Sequence, residues 1–164
     1  GDSAAAHRQA AVTAGEVLLK QTDVASADHV ALVVAHARLL ASPEATAAEL
    51  SQGLQLLDDI PATADSRAAA TRGLLLFEQG HFEKAYHTLE AARQAGGGFG
   101  LLEQWHLAMS HWHCGRPAAA KELVGRLAAQ DHRLSADTAR IERAADRCRE
   151  LLAESATAPA GRRP

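Results

Sequence analysis

GLLLFEQGHFEKAYHTLEAA, residues 73–92, is echoed 35 positions later by AMSHWHCGRPAAAKELVGRL, residues 108–127. In each copy a small residue is followed seven positions on by a glycine and five positions further by an alanine: Gly80 and Ala85 in the first copy, Gly115 and Ala120 in the second. A repeat of this length, built as helix, turn and helix, is typical of stacked helical arrays. Such arrays bury a continuous core and present a surface to partners. The repeat therefore predicts a binding protein rather than an enzyme.

The composition favours an all-α chain. Alanine is abundant, aromatic residues make up 4% of the 164 residues, and no segment has the alternating, β-branched pattern of a strand. The net charge of −3, with both signs interspersed, argues against a nucleic-acid partner. The spacing of the two cysteines favours reduced thiols in the cytoplasm, and the alanine and arginine content favours a bacterial coding sequence. The chain lacks a membrane-length apolar run and a signal-peptide pattern.

Eight helices are predicted, with glycine and proline marking most of the breaks. Ser42-Pro43-Glu44 has the pattern of a cap, a first-turn proline and an acid, and predicts the start of helix three. We expect one domain over residues 1–153. It comprises a first helix near 3–21, hairpins at about 27–58, 65–95 and 100–130, and a capping helix at 135–153 that begins at Ser135 and is followed by a disordered tail at 154–164.

The repeat resembles the tetratricopeptide repeat family. Its small residues, turn glycine and following aromatic match at Gly73, Gly80, Phe82, Ala85 and Ala92, and again in part at Leu107, Ala108, Gly115 and Ala120. A fainter upstream copy keeps only the spacing of Ala35 and Ala47. The family's early tryptophan is replaced by Ala69 and Gln104, its tyrosine by Leu76 and His111, and its final proline is missing. The resemblance implies a right-handed α-α superhelix, a solenoid of helical hairpins.

The resemblance also implies that the first helices of successive repeats line a concave groove. Helix two would contribute His29, Leu32, His36 and Leu39 to this groove. The residues predicted to bind a partner are Leu74, Phe77, Leu102, Trp105, Met109, Trp112 and His113. Trp105 and Trp112 are seven residues apart on one helix face with Met109 between them. Two interpretations remain open for these side chains, an apolar groove and a buried core.

Helix one has no partner in the three-hairpin scheme. It is either the second helix of a repeat that begins upstream or a cap on the first hairpin. We expect the cap, because Val12, Val17, Leu18 and Leu19 need cover. The chain begins at Gly1, which is compatible with a tag remnant, a processed terminus or a piece of a longer protein.

The expected function is protein–protein interaction, with the groove binding a helical or extended apolar segment of a partner. The alternative is a regulatory or oligomerisation segment of a larger bacterial regulator, which would form a homodimer or sense a small apolar ligand. The sequence HWHC at 111–114 does not place three ligands on one helix face, so we expect no metal or cofactor. No catalytic residues are predicted, because phosphate-loop, nucleophile-elbow and HExxH patterns are missing from the sequence.

Overall fold

The chain is all-helical in the computed structural model, which describes residues 2–22, 27–60, 66–96, 99–130 and 138–157. These residues form eight α-helices and no strand. The helices are α1 (Asp2–Gln21), α2 (Ala27–Leu40), α3 (Ala47–Asp58), α4 (Ser66–Glu78), α5 (Phe82–Ala95), α6 (Leu101–His113), α7 (Pro117–Leu127) and α8 (Thr138–Thr157). The predicted fold class, all-α, is thereby confirmed. In these ranges no helix combines the length and the apolar character needed to cross a membrane.

The contacts divide the chain into two compact units, which are described separately. Unit one spans Gly1–Gly98 and unit two spans Phe99–Pro164. The boundary follows the glycine run that the sequence marks as a break. Unit one holds α1 to α5, and unit two holds α6 to α8.

Small residues set the helix spacing inside unit one. Consecutive helices pack on one another, and α2 also packs against α4. A Cβ atom added at Gly73 of α4 would lie 2.6 Å from Cγ of Leu89 in α5, so this crossing requires glycine. A Cβ atom added at Gly53 of α3 would lie 2.8 Å from Cδ2 of Leu75 in α4. Ala85 faces the same core with no exposed surface, as the repeat pattern predicts for a crossing residue.

The two clear copies of the repeat turn in the same way. Gly80 has a φ of 80° and Gly115 a φ of 70°, the left-handed region that favours glycine. In the first copy Gly80 N–H donates to the Phe77 carbonyl at 2.8 Å and the next N–H donates to Leu76 at 2.9 Å. In the second copy Gly115 N–H donates to Trp112 at 3.0 Å and the following N–H to His111 at 2.9 Å. Each turn is therefore a Schellman motif, which satisfies carbonyl groups left open at a helix end.

Unit two is built around α6, which packs against α7 and α8. Helix α8 has one apolar face, which buries Ile141, Ala144, Ala145 and Cys148. The rest of the helix surface exposes charged side chains, among them Arg149, which is paired with Asp146. This division of α8 into one apolar and one charged face explains why it lies flat on α6.

The predicted start of α3 is wrong. The helix begins at Ala47 with Thr46 as its N-cap, and Ser42, Pro43 and Glu44 form a turn before it. Thr46 accepts from Glu49 N–H at 3.2 Å, while the Glu49 carboxylate accepts from Thr46 N–H at 2.7 Å. This reciprocal capping box satisfies two donors at once, whereas the Ser42 hydroxyl hydrogen-bonds to the Glu44 carboxylate inside the turn.

The end of the chain also differs from the prediction. Helix α8 continues to Thr157, so the first part of the segment predicted as a tail at 154–164 is helical. The rest of that segment and the predicted cap Ser135 lie outside the described residues.

Candidate functional site

The tryptophan–methionine stripe of α6 is largely buried. Trp105 is 2% exposed and Met109 is 1% exposed. The guanidinium carbon of Arg149 in α8 lies 5.9 Å from the centroid of the Trp105 ring. A cation at that distance from an indole face is attracted by the ring quadrupole. Trp105 and Met109 therefore stabilise the packing of unit two, and they offer no contact surface in this conformation.

The C-terminal part of the same stripe is more open. Trp112 is half-buried and the side chain of His113 is exposed, whereas Leu102 near the start of α6 is buried. Loss of hydration lowers the pKa of the His113 ring, and the charge of Arg147 in α8 lowers it further. Of the predicted groove residues in unit two, Trp112 and His113 are the ones that solvent reaches.

The two predicted groove residues of α4 also lie in the interior. Leu74 and Phe77 are each 1% exposed. The Phe77 ring packs edge-to-face on Phe82 of α5, with ring centroids 5.1 Å apart and an interplanar angle of 60°. This pair closes the α4–α5 hairpin beside its turn. Partner binding by Leu74 and Phe77 stays a prediction, and the contact that the structure gives Phe77 is one within the hairpin.

His36 occupies an unusual place between α1 and α2. Its side chain is 1% exposed, and neither ring nitrogen has a hydrogen-bond partner. A Cβ atom added at Gly15 of α1 would lie 2.2 Å from Nδ1, so the ring fits only against a glycine. Burial lowers the pKa of His36, while the charge of Glu16 opposes that shift. The sequence places His36 in a groove, and the structure places it under α1.

Exposed apolar side chains are concentrated on the α1–α2 pair. Among the described residues, the large apolar side chains classed as exposed are Leu18 at 50%, Val17 at 48% and Leu39 at 38%. Val12 of α1 is buried at 4% and Leu19 is half-buried. The expected cap is therefore realised in part: α1 packs on α2 and covers Val12, but it leaves its own Val17 and Leu18 open.

Leu18 and Leu39 point to the same side of this helix pair. Gly15 of α1 is in contact with His36 of α2. Leu18 follows Gly15 by three residues and Leu39 follows His36 by three residues, which is a rotation of roughly 300° about each helix axis. Because consecutive helices joined by a short segment run antiparallel, equal rotations turn both leucines to one flank.

Helix α3 lies on the opposite flank. Glu16 of α1 accepts a hydrogen bond from Gln52 of α3 at 3.4 Å, and Leu40 of α2 approaches Gly53 of the same helix. We call the open flank, formed by Ala14, Leu18, Ala35 and Leu39, the α1–α2 face; all four residues are exposed. It is apolar and its two alanines allow another backbone to approach closely.

A shallow cavity of about 350 Å³ lies between α2 and α3. Its wall combines four polar side chains with apolar ones: His29, Gln52, Gln55 and Asp59 with Val30, Val33, Leu56 and Ile60. This volume is at the lower end of the range of small-molecule sites. A second cavity of about 360 Å³ is lined by α4 and α5 residues together with Ile60.

The nucleophilic and ligating side chains are dispersed. Cys148 is buried, and its burial raises the pKa of the thiol to about 11, whereas Cys114 is half-buried. Neither cysteine forms a disulfide. Within the described ranges, no three His, Cys, Asp or Glu side chains are grouped so that they could hold a metal ion.

Comparisons with known proteins found no match for this chain. No family model, no curated protein and no solved structure matches the chain. What the chain does is therefore to be inferred from its own residues.

Proposed function

We propose that the chain is a protein–protein interaction module that binds an apolar helix of a partner protein on the α1–α2 face. The observation that carries this proposal is the position of Leu18 and Leu39, both exposed and both turned to one flank of a helix pair. Exposed apolar surface that is continuous across two helices is typical of interaction sites. Leu39 also belongs to the groove that the sequence predicts along α2.

A helix fits this face better than an extended strand. Two antiparallel helices leave a groove between them, and the ridge of a third helix packs into it. Ala14 and Ala35 lie on the same flank, so the backbone of an incoming helix can come close without a clash. None of the four residues of the face carries a charge, which favours a partner helix whose contacting side is apolar.

The exposed area sets the strength of the interaction. Covering the exposed part of Leu18 and of Leu39 contributes roughly 1 kcal/mol each. The total of about 2 kcal/mol is small beside the entropy cost of association, so neighbouring polar contacts must add to it. We expect a transient complex of moderate affinity.

We further propose that the hairpins belong to the tetratricopeptide-like class and stack as a right-handed superhelix. Three observations support this proposal. Gly73 meets Leu89 where the two helices of a hairpin cross, the two turns share one hydrogen-bond pattern, and Ala85, Ala108 and Ala120 have no exposed surface. The location we propose is cytoplasmic, and two cysteines that form no disulfide support it.

Selection of helical peptides against the purified chain tests the binding proposal. Peptides that bind the wild type should lose at least tenfold in affinity for Leu18→Glu and for Leu39→Glu, since each change places a charge on the apolar face. Gln9→Glu is the matched control, because Gln9 is exposed on α1 and lies outside the α1–α2 face. Equal affinity for all four proteins would contradict the proposal.

The second candidate is a regulatory or oligomerisation segment that senses a small apolar ligand. The cavity between α2 and α3 is the observation that favours it. Under this alternative the purified chain dimerises in light scattering, or a small apolar compound raises its melting temperature and Val33→Trp removes that shift. If the chain is a monomer and its melting temperature does not respond to such compounds, both the oligomerisation role and the ligand-sensing role are excluded.

A further inference from the structure

His36 is sealed between two helices with nothing to hydrogen-bond. The ring is 1% exposed, and both Nδ1 and Nε2 are buried without a partner. Gly15 provides the space for the ring, since a Cβ atom there would overlap Nδ1. A neutral imidazole always carries one N–H group, so the docked state leaves a donor and an acceptor unsatisfied. Such burial is costly, and it becomes more costly when the ring gains a charge.

The charged groups around the ring do not compensate that cost. The charged side chains described on α1 are Arg8, Glu16 and Lys20; the field of Glu16 favours the imidazolium, and Arg8 is bound to Glu49 of α3 at 3.0 Å. On α4 the charged residues are Arg67, Arg72 and Glu78, and Arg72 is held by Asp58 at 2.8 Å. On α2 itself Asp28 and Arg38 are the charged residues. Burial outweighs the field of Glu16, so the pKa of His36 in the docked state lies below its ordinary value.

We propose that α1 is an acid-released cap: protonation of His36 drives α1 off α2. When α1 leaves, the ring enters water, where both nitrogens find partners and the charge is hydrated. Release also uncovers Val12 and the side of α2 that α1 covers, so the proton controls how much apolar surface unit one exposes. The inference depends on the α1–α2 contact and not on the identity of any partner.

The direction of the pH dependence follows from linkage. The docked ring has a lowered pKa, and the released ring titrates near the ordinary histidine value of about 6.5. The free energy of docking of α1 is therefore most favourable above a pH of about 6.5 and becomes less favourable as the pH falls below that value. The docking constant falls by up to about tenfold per pH unit until the pKa of the docked ring is reached, and is constant below that point.

Methyl NMR of the full chain tests the proposal. The Val12 methyl groups report whether α1 is docked, because Val12 is 4% exposed in the docked state. The His36 ring proton reports its own titration. Gly15→Ala, which pushes a methyl group into the ring, supplies the spectrum of the released helix. In the wild type we expect the Val12 signals to move towards those of Gly15→Ala between pH 7.5 and pH 5, together with the titration of His36.

Two variants separate His36 from other groups. His36→Leu keeps the size and removes the charge, so its Val12 signals should not change between pH 7.5 and 5. His7→Gln, on the exposed surface of α1, should keep the wild-type response. The proposal is overturned if His36→Leu shows the wild-type transition, or if wild-type Val12 does not move while His36 titrates. Should His36→Leu fail to fold, the paired titration of Val12 and His36 in the wild type decides the question alone.

Discussion

Gly73→Ala tests the helix crossing on which the repeat depends. The added Cβ atom would lie 2.6 Å from Cγ and 2.7 Å from Cδ2 of Leu89, and 3.4 Å from its backbone nitrogen. Leu89 has no exposed surface, so its side chain has no free space into which it can turn. Overpacking of this kind costs about 1–3 kcal/mol. Replacing a helical glycine by alanine returns about 1 kcal/mol through helix propensity. From the middle of the overpacking range, we therefore expect Gly73→Ala to destabilise unit one by about 1 kcal/mol.

The matched control is the same substitution at Gly125 of α7. A Cβ atom added there meets nothing within 4 Å, so only the gain in helix propensity remains. We expect Gly125→Ala to stabilise unit two by roughly 0.5–1 kcal/mol. The same chemical change thus has opposite signs at the two positions.

Urea unfolding measures both variants. Circular dichroism follows the helices of the whole chain, while tryptophan fluorescence reports unit two, because Trp105 and Trp112 both lie in it. The two signals are recorded separately, since two units need not unfold in one step. A Gly73→Ala variant as stable as the wild type, or more stable, would refute overpacking here, because the α4–α5 crossing would then tolerate a methyl group.

Two further predictions concern the cap of α3 and the reactivity of the two cysteines. Thr46→Ala removes the cap of α3 and should lower the free energy of unfolding by about 1 kcal/mol, whereas Thr46→Ser should restore it; thermal melts compare the three proteins. Cys148 is buried with a thiol pKa of about 11, so a soluble maleimide at pH 7 should modify Cys114 first. Mass spectrometry after brief labelling checks the order, and rapid modification of Cys148 would show that α8 opens readily.

The turns and most helix ends were predictable because their determinants are local. Gly80 and Gly115 are needed for a left-handed residue whatever surrounds them, and Gly96 ends α5 in the same conformation with a φ of 80°. The start of α3 was also decided locally, but two cap patterns stood four residues apart. The sequence TAAE at 46–49 satisfies two donors and outcompetes the proline pattern before it.

The candidate site was less predictable because burial depends on distant segments. Trp105 faces α8, more than 30 residues away in the chain, and no periodicity within α6 reveals that neighbour. His36 is sealed by Gly15, and only the packing of α1 on α2 brings the two together. Leu39 is 38% exposed, and its place in a groove along α2 stays a prediction.

The shared Schellman turns also bear on how the chain reaches its fold. Each turn closes through hydrogen bonds between residues at most five positions apart, at Gly80–His81 and at Gly115–Arg116. Each hairpin turn therefore forms from contacts within its own hairpin, and its formation does not carry the entropy cost of closing a long loop. Two such hairpins can nucleate independently and in either order. The search for the native state then becomes local, the regime in which helical proteins fold within roughly microseconds to milliseconds.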